Sequence, residues 1–375
     1  LQRLAERHRD EFNIPIVGIT GSNGKTMVKE WLHQLLSPSM FVTRSPRSYN
    51  SQIGVPLSVW LLNEQTQVGV FEAGISQPGE MLALRDIIQP TIAVLTYLGA
   101  AHQENFESLE AKCREKIILF HDADTIVYNG DDKTVSGVVN EYKDYKGEKL
   151  FWSFRDTKAP FFVKNVEKKG NLSIITYIYK GEEDSYSLPF IDEASVTNSI
   201  IAAVVSRRLG LSAEELDKRM ALLEPVAMRL EVKEGQHGCT LINDSYNSDI
   251  NSLDIALDFM SRRPDHKGRR HTLILSDIFQ SGESAKDLYH EVSDLCRKRG
   301  VVKFIGIGPQ LCSQSDEIQI SEKFFFSNVD EFIDSEVFKS LRDEVILLKG
   351  ARQFGFDQLT ELLVRKVHET TCLLY

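Results

Sequence analysis

The chain has 375 residues, 42% of them hydrophobic, and no low-complexity tract, which is enough apolar material for two sizeable cores. A formal net charge of -10 removes any general electrostatic attraction to nucleic acid or to an anionic membrane surface, so neither is expected as a partner. The five cysteines are odd in number, widely spaced and without a CxxC pair, which argues against a disulfide framework or a zinc site and fits a cytoplasmic protein.

Residues 1–12 read as a charged helix instead of a signal peptide, and no apolar run approaches the length of a membrane span. Residues 14–20 (IPIVGIT) read as a buried strand that runs into a Gly-rich turn and then a helix over 26–36. Apolar runs at 68–73, 91–95 and 125–129 alternate with helical patterns at 78–88 and 107–120, and that alternation predicts a parallel sheet covered by helices. Over 161–166 and 172–179 the period changes to two, with turn sequences at 168–171 and 180–183, which predicts a small antiparallel patch. Helical periodicity returns over 196–209 and 212–223, the second opening on the capping pattern Ser212-Ala213-Glu214-Glu215. After Pro225 a second series places strands near 240–243, 272–275, 303–307, 323–326 and 345–348 with helices between them. The expected architecture is α/β: a P-loop domain with a mostly parallel sheet over 1–227, then a Rossmann-like α/β domain over 228–375. The basic stretch Arg262, Arg263, Lys267, Arg269 and Arg270 around Pro264 reads as a solvated loop.

The strongest chemical signal is residues 20–26 (TGSNGKT), where a buried strand gives way to a helix. The backbone amides of Gly21, Ser22, Asn23 and Gly24 and the helix N-terminus would cradle phosphates, Lys25 would reach the β and γ oxygens, and Thr26 would bind magnesium. Ile19 stands where the strict GxxxxGK[ST] spacing wants glycine, so the generic pattern is met in its second half. Glu72 ends a strand at the carboxyl edge of the sheet, as a candidate Mg²⁺ ligand or a solvated strand-end cap. His102 follows another strand and reads by itself as a loop histidine. Lys116 reads by itself as a surface lysine. In the second domain Asp244 and Asn247 follow a strand and precede a helix, as ligand contacts or helix caps. Lys349 and Arg352 follow the strand VILLK and could receive a carboxylate or phosphate, or stand as solvated charges at a helix start.

Taken in order, these segments resemble the Mur ligase family across nearly the whole chain. Residues 20–26 resemble its TG[TS]NGKT loop, and 72–80 (EAGISQPGE) its glutamate-containing, PGE-ending segment. His102 with the following ENFESLE is similar to its AHLE-type segment, 244–252 (DSYNSDINS) to its DxYNANPxS motif and 348–352 to its KGSR motif. The resemblance implies that Lys116 stands at the lysine the family carbamylates, and that Thr26, Glu72, His102 and Lys116 hold magnesium. It implies catalytic roles for Lys25, Lys116 and His102, nucleotide contacts from Arg229, Asp244 and Asn247, and substrate contacts from Lys349 and Arg352.

The implied reaction uses ATP and Mg²⁺ to activate a carboxylate as an acyl phosphate, which an amine then displaces. The YNSDINS stretch favours the branch that adds D-alanyl-D-alanine to UDP-N-acetylmuramoyl-tripeptide in peptidoglycan precursor synthesis. Another Mur-type or folylpolyglutamate-type ligase and a nucleotide-binding module without turnover remain as alternatives. Ala194 and Ser195 stand where the family has a His-Asn pair near adenine, so adenine contacts are expected to differ; Ile75-Ser76-Gln77 replaces Ala-Asn-His, and Asp249-Ile250 replaces Asn-Pro. The family carries a UDP-sugar domain ahead of the loop, and only fourteen residues precede Pro15. The chain is therefore expected to hold the central and C-terminal domains, with its turnover in isolation left open. Residues 366–370 (KVHET) resemble a junction beyond which some members continue into an alanine racemase, which implies such a fusion.

Overall fold

The computed structural model describes residues 1–99, 103–143, 145–226, 230–245, 248–262, 268–278, 284–351 and 354–364. His102, Arg229, Asn247, Arg352, the 366–370 junction, and Arg263 and Lys267 of the basic stretch lie outside the described residues. The chain forms two compact units, Leu1–Glu224 and a second beginning at Pro225.

The first unit opens with α1 (Gln2–Asp10), β1 (Ile16–Thr20), α2 (Lys25–Leu36), β2 (Val42–Arg44) and α3 (Gly54–Val59). It continues through β3 (Val68–Glu72), α4 (Glu80–Ile88), β4 (Ile92–Leu95), α5 (Leu109–Ile117), β5 (Thr125–Val127), α6 (Lys133–Glu141) and β6 (Glu148–Lys149). The six strands form one parallel sheet in the order β2-β3-β1-β4-β5-β6. β1, β3 and β4 are buried at every residue, because helices cover both faces and the strands need no polar side. From β1 the chain leaves towards β2, and from β4 it leaves towards β5, so the loops after these two neighbours diverge and open a crevice at their carboxyl ends.

A smaller sheet follows, built from β7 (Trp152–Ser153), β8 (Phe161–Lys169), β9 (Leu172–Tyr179) and β10 (Glu182–Leu188) in the order β10-β9-β8-β7. The period-two stretches become the antiparallel pairs β8-β9 and β9-β10, whereas β7 joins in parallel. Ser173, Ile175, Tyr177 and Tyr179 alternate inward along β9. Next comes α7 (Glu193–Arg208), buried continuously over residues 198–206, as suits a helix that is apolar nearly all round. The unit closes with α8 (Ala213–Met220), whose Ser212 and Glu215 form a reciprocal capping box as the sequence pattern predicts. Trp31 Nε1 on α2 donates to the Glu224 carbonyl at 3.1 Å and ties down the end of the unit.

The second unit contains β11 (Glu231–Glu234), β12 (Thr240–Asp244), α9 (Ile250–Arg262), β13 (Arg270–Ser276), α10 (Ala285–Lys298), β14 (Val301–Ile307) and α11 (Pro309–Ser313). It ends with β15 (Glu322–Phe326), α12 (Val329–Asp334), α13 (Glu336–Lys339), β16 (Glu344–Lys349) and α14 (Phe356–Leu363). Its sheet runs β11-β12-β16-β13-β14-β15, parallel apart from the antiparallel edge strand β11. Inserting β16 between β12 and β13 sets Asp244 opposite Lys349 in register, a neighbourhood that a sequence separation of 105 conceals. Of the basic stretch, Arg262 pairs with Asp258, Arg269 donates to the Gly238 and Glu344 carbonyls, and Arg270 pairs with Glu322. No helix among the described residues is long and apolar enough to cross a membrane.

Candidate nucleotide and metal site

The loop between β1 and α2 is shaped by its glycines and held from the neighbouring strand. Gly21 has φ 144° and Gly24 has φ 86°, both in the region that side chains disfavour. A Cβ at Gly21 would collide with Thr96 Oγ1, and one at Gly24 with Asn198 Oδ1. The segment after β4 clasps the loop: Ser22 N donates to the Tyr97 carbonyl at 2.6 Å, Thr96 Oγ1 to the Asn23 carbonyl at 2.5 Å, and Gly99 N to Ser22 Oγ at 2.9 Å. A rigid loop of this form precedes the twelve-residue helix α2, whose N-terminal amides and dipole favour an anion. Lys25 Nζ folds back onto the carbonyls of Gly21 at 2.7 Å and Ser22 at 3.2 Å. Two buried polar atoms of the loop, Thr20 Oγ1 and Asn23 Nδ2, have no hydrogen-bond partner among the described residues.

Glu72 is fully buried, so the solvated-cap reading does not hold. Its Oε2 accepts from Thr26 Oγ1 at 3.2 Å, and Thr26 Oγ1 lies 3.1 Å from Ser48 Oγ. Its Oε1 accepts no hydrogen bond from the described residues, although Lys29 Nζ stands 3.1 Å away as an ion-pair contact. A buried carboxylate with one oxygen against a threonine hydroxyl and the other accepting no hydrogen bond among the described residues fits a hard cation such as Mg²⁺. No group of three His, Cys, Asp or Glu side chains forms a cage among the described residues. Magnesium takes one or two carboxylates beside substrate phosphates, so the small donor set suits it.

Lys116 is also buried rather than on the surface, with Nζ 3.4 Å from the Gly21 carbonyl that Lys25 contacts. Burial, reinforced by the charges of Lys25 and Lys112, holds its ammonium well below the usual lysine range. A neutral amine is the form that adds to carbon dioxide, and a lowered ammonium range favours that form. Its neighbour Glu115 accepts from Gly79 N at 2.9 Å and Met81 N at 3.1 Å, supplying the start of α4 with the acceptor that Gly79 lacks. Glu80 accepts from Ser76 N and Gln77 N, so the segment after Glu72 is tied both to itself and to the helix that bears Lys116.

The structure thus brings together Gly21, Ser22, Asn23, Gly24, Lys25, Thr26, Glu72 and Lys116 at one edge of the first sheet. Sequence reasoning missed Lys29, Ser48, Thr96, Lys112 and Asn198, which brace or line the same place. One signal was available for Lys29, because it interrupts the apolar stripe of α2 made by Val28, Trp31, Leu32 and Leu35. The serine and threonine positions carry no pattern of their own.

At the carboxyl edge of the second sheet, Lys349 Nζ and Asp244 Oδ2 form a buried ion pair at 2.8 Å. Neither is a solvated helix-start charge, and the start of α9 is capped by Asp249, whose Oδ1 accepts from Ser252 N at 3.0 Å. Replacing Asp244 by alanine is expected to destabilise the second unit by about 3–5 kcal/mol, because a buried ammonium loses its carboxylate. Urea unfolding followed by circular dichroism checks this, with Asp244→Asn expected to lose less.

Residues 19–206 match the family model of the Mur ligase middle domain. The chain belongs to the Mur ligase family. Among Mur ligases it is similar to the UDP-N-acetylmuramoyl-tripeptide--D-alanyl-D-alanine ligase of Bacillus subtilis, 27% identical over 296 residues, covering 78% of this chain and 62% of that protein. The same-named ligase of Buchnera aphidicola is 27% identical over 375 residues, covering 98% of this chain and 80% of that one. The MurF ligase of Thermotoga maritima, solved in complex with ADP, shares the fold with a TM-score of 0.80 at 22% identity, over 96% of this chain and 82% of that chain. The α/β class and the family read from the motifs are thereby borne out.

Proposed function

We propose that this chain is the nucleotide-binding and ligase portion of an ATP-dependent enzyme that joins D-alanyl-D-alanine to UDP-N-acetylmuramoyl-tripeptide in peptidoglycan precursor synthesis. The observation that carries the ATP half of this reading is the clasped TGSNGKT loop, with Lys25 over it and Thr26 hydrogen-bonded to Glu72. The substrate half is supported by the names of the Bacillus and Buchnera relatives. The four described cysteines are free thiols, and we read the chain as cytoplasmic.

In this reading the loop amides and the α2 N-terminus bind the phosphates, and Lys25 leaves the Gly21 and Ser22 carbonyls to meet the β and γ oxygens. Thr26 and Glu72, with His102 and a carbamylated Lys116, would hold magnesium, which would supply charge neutralisation for the phosphates. The substrate carboxylate oxygen attacks the γ phosphorus and ADP leaves. The amine of the dipeptide then attacks the acyl carbon, inorganic phosphate departs with the bonding pair, and the nitrogen gives up a proton to solvent. Arg229, Asp244 and Asn247 are assigned to the nucleotide, and Lys349 and Arg352 to the substrate, with Asp244 and Lys349 acting as one paired unit. Residues 1–227 form the ATP-binding domain and 228–375 the ligase domain; a covalent fusion to an alanine racemase beyond residues 366–370 is part of the same proposal.

Calorimetric titration of Mg-ATP tests the central element. The chain is expected to bind, and Lys25→Ala to lose at least about tenfold in affinity with its melting temperature retained, since a charge-assisted phosphate contact is removed. Equal affinity in the two proteins would remove the phosphate-site assignment.

A further inference from the structure

Lys29 lies one turn beyond Lys25 on α2, and its side chain is fully buried. A lone ammonium in that position would carry a large desolvation penalty. Four oxygens compensate: the carbonyls of Ser45 at 2.9 Å and of Arg47, Glu30 Oε1 at 2.9 Å and Glu72 Oε1 at 3.1 Å. The hydrogen bonds run to the two carbonyls, so Glu72 Oε1 gains a compensating charge while keeping its lone pair free. Arg47, whose carbonyl Lys29 grips, adopts φ 48°, uncommon for a residue with a side chain, so the loop is folded around the ammonium. Glu30 is itself shared with Arg44 Nε at 2.9 Å. Lys29 is therefore a charge held in place by backbone carbonyls and set against Glu72 Oε1, the carboxylate oxygen other than the one that faces Thr26.

We propose that Lys29 is an internal counter-cation that stands in for the divalent cation at Glu72 when the cation is away and lowers the cation's affinity when it is present. The proposal rests on the reading of Glu72 and Thr26 as cation ligands. Without Lys29, the cation-free protein would hold a fully buried carboxylate stripped of the ammonium 3.1 Å from its Oε1, a costly state that cation binding would relieve. With Lys29 in place that cost is already met, and an arriving cation is repelled by an ammonium whose carbonyl anchors keep it from swinging away. Coulomb repulsion is weakly screened in a site shielded from water. A site that must release spent nucleotide with its cation on each cycle gains from a weakened hold.

The test is Mn²⁺ titration of the nucleotide-free chain, read from the electron paramagnetic resonance signal of free Mn²⁺, for the wild type, Glu72→Gln, Lys29→Met and Glu30→Gln. Glu72→Gln is expected to abolish the site. Lys29→Met is expected to bind about tenfold tighter or more, because the repelling charge is gone. Glu30→Gln is expected to bind about threefold weaker, because Lys29 is then balanced by one carboxylate instead of two. Damage to packing would weaken both variants, so opposite directions identify a charge effect. Equal or weaker binding by Lys29→Met overturns the proposal. If that variant does not fold, the half-buried Glu30→Gln decides, and an unchanged affinity there overturns it too. Wild-type binding by Glu72→Gln would instead remove the ligand reading itself, an outcome distinguishable from failure of the Lys29 and Glu30 arms.

Discussion

Lys116→Ala is expected to reduce ligase turnover by about two orders of magnitude or more, and millimolar formate or acetate is expected to restore part of it. The side chain is buried beside the phosphate loop, and the fields of Lys25 and Lys112 add to burial in holding its ammonium well below the usual lysine range. An ammonium so disfavoured is poorly suited to bind phosphate by charge, whereas a carbamate there would offer an oxygen to magnesium. A short free carboxylate can occupy the space left by alanine and offer the same oxygen. Phosphate release with and without added carboxylate measures the effect. A parallel loss of activity on removing dissolved carbon dioxide from the wild type, regained on adding bicarbonate, would tie the effect to the carbamate. Undiminished turnover in Lys116→Ala would remove Lys116 from the chemistry.

The second large effect concerns backbone. Gly21→Ala is expected to cost about 1–3 kcal/mol of stability in strained conformation alone. It should also lower nucleotide affinity by about tenfold or more, because the loop amides must move together for the phosphates to be cradled. At φ 144° the new Cβ points into Thr96 Oγ1, the atom that donates to the Asn23 carbonyl and keeps the loop closed. Adding Thr96→Ala relieves the clash and removes that hydrogen bond, so the double variant should regain part of the stability without regaining affinity. Thermal melts and calorimetry on the two single variants and the double variant separate the two contributions. Full recovery of affinity in the double variant would show that the clash alone matters and that the clasp from the β4 side does not.

The site's parts were legible to different degrees. The TGSNGKT loop announced itself because glycine, lysine and threonine at a strand-to-helix junction form a local device, complete within seven residues. Glu72 was legible as a strand-end carboxylate, yet whether it met water or the protein interior depended on the loop 45–48 and on Lys29, which come from other segments. Lys116 read as a surface residue because α5 carries charges on several faces, and only its packing against the Gly21 carbonyl shows which face turns inward. For Asp244 and Lys349 the local pattern suggested two separate ligand contacts. Strand order makes them partners.

What the sequence alone determined was the set of local choices: alternating apolar runs that must become covered parallel strands, a period-two segment that must become a half-buried sheet, a capping box at Ser212 and Glu215, and the loop whose glycines allow its turn. These follow from periodicity and from backbone and capping rules acting over a few residues. Short elements such as β2, β6 and β11 were missed because two to four residues carry too little period to read. Only the tertiary structure decided the protonation environment of Lys116, the four-oxygen cage of Lys29 and the Asp244–Lys349 pair. Each depends on strands and helices distant in the chain being brought side by side, and electrostatic energy in a protein is set by what lies within a few ångströms and by how much water is excluded there.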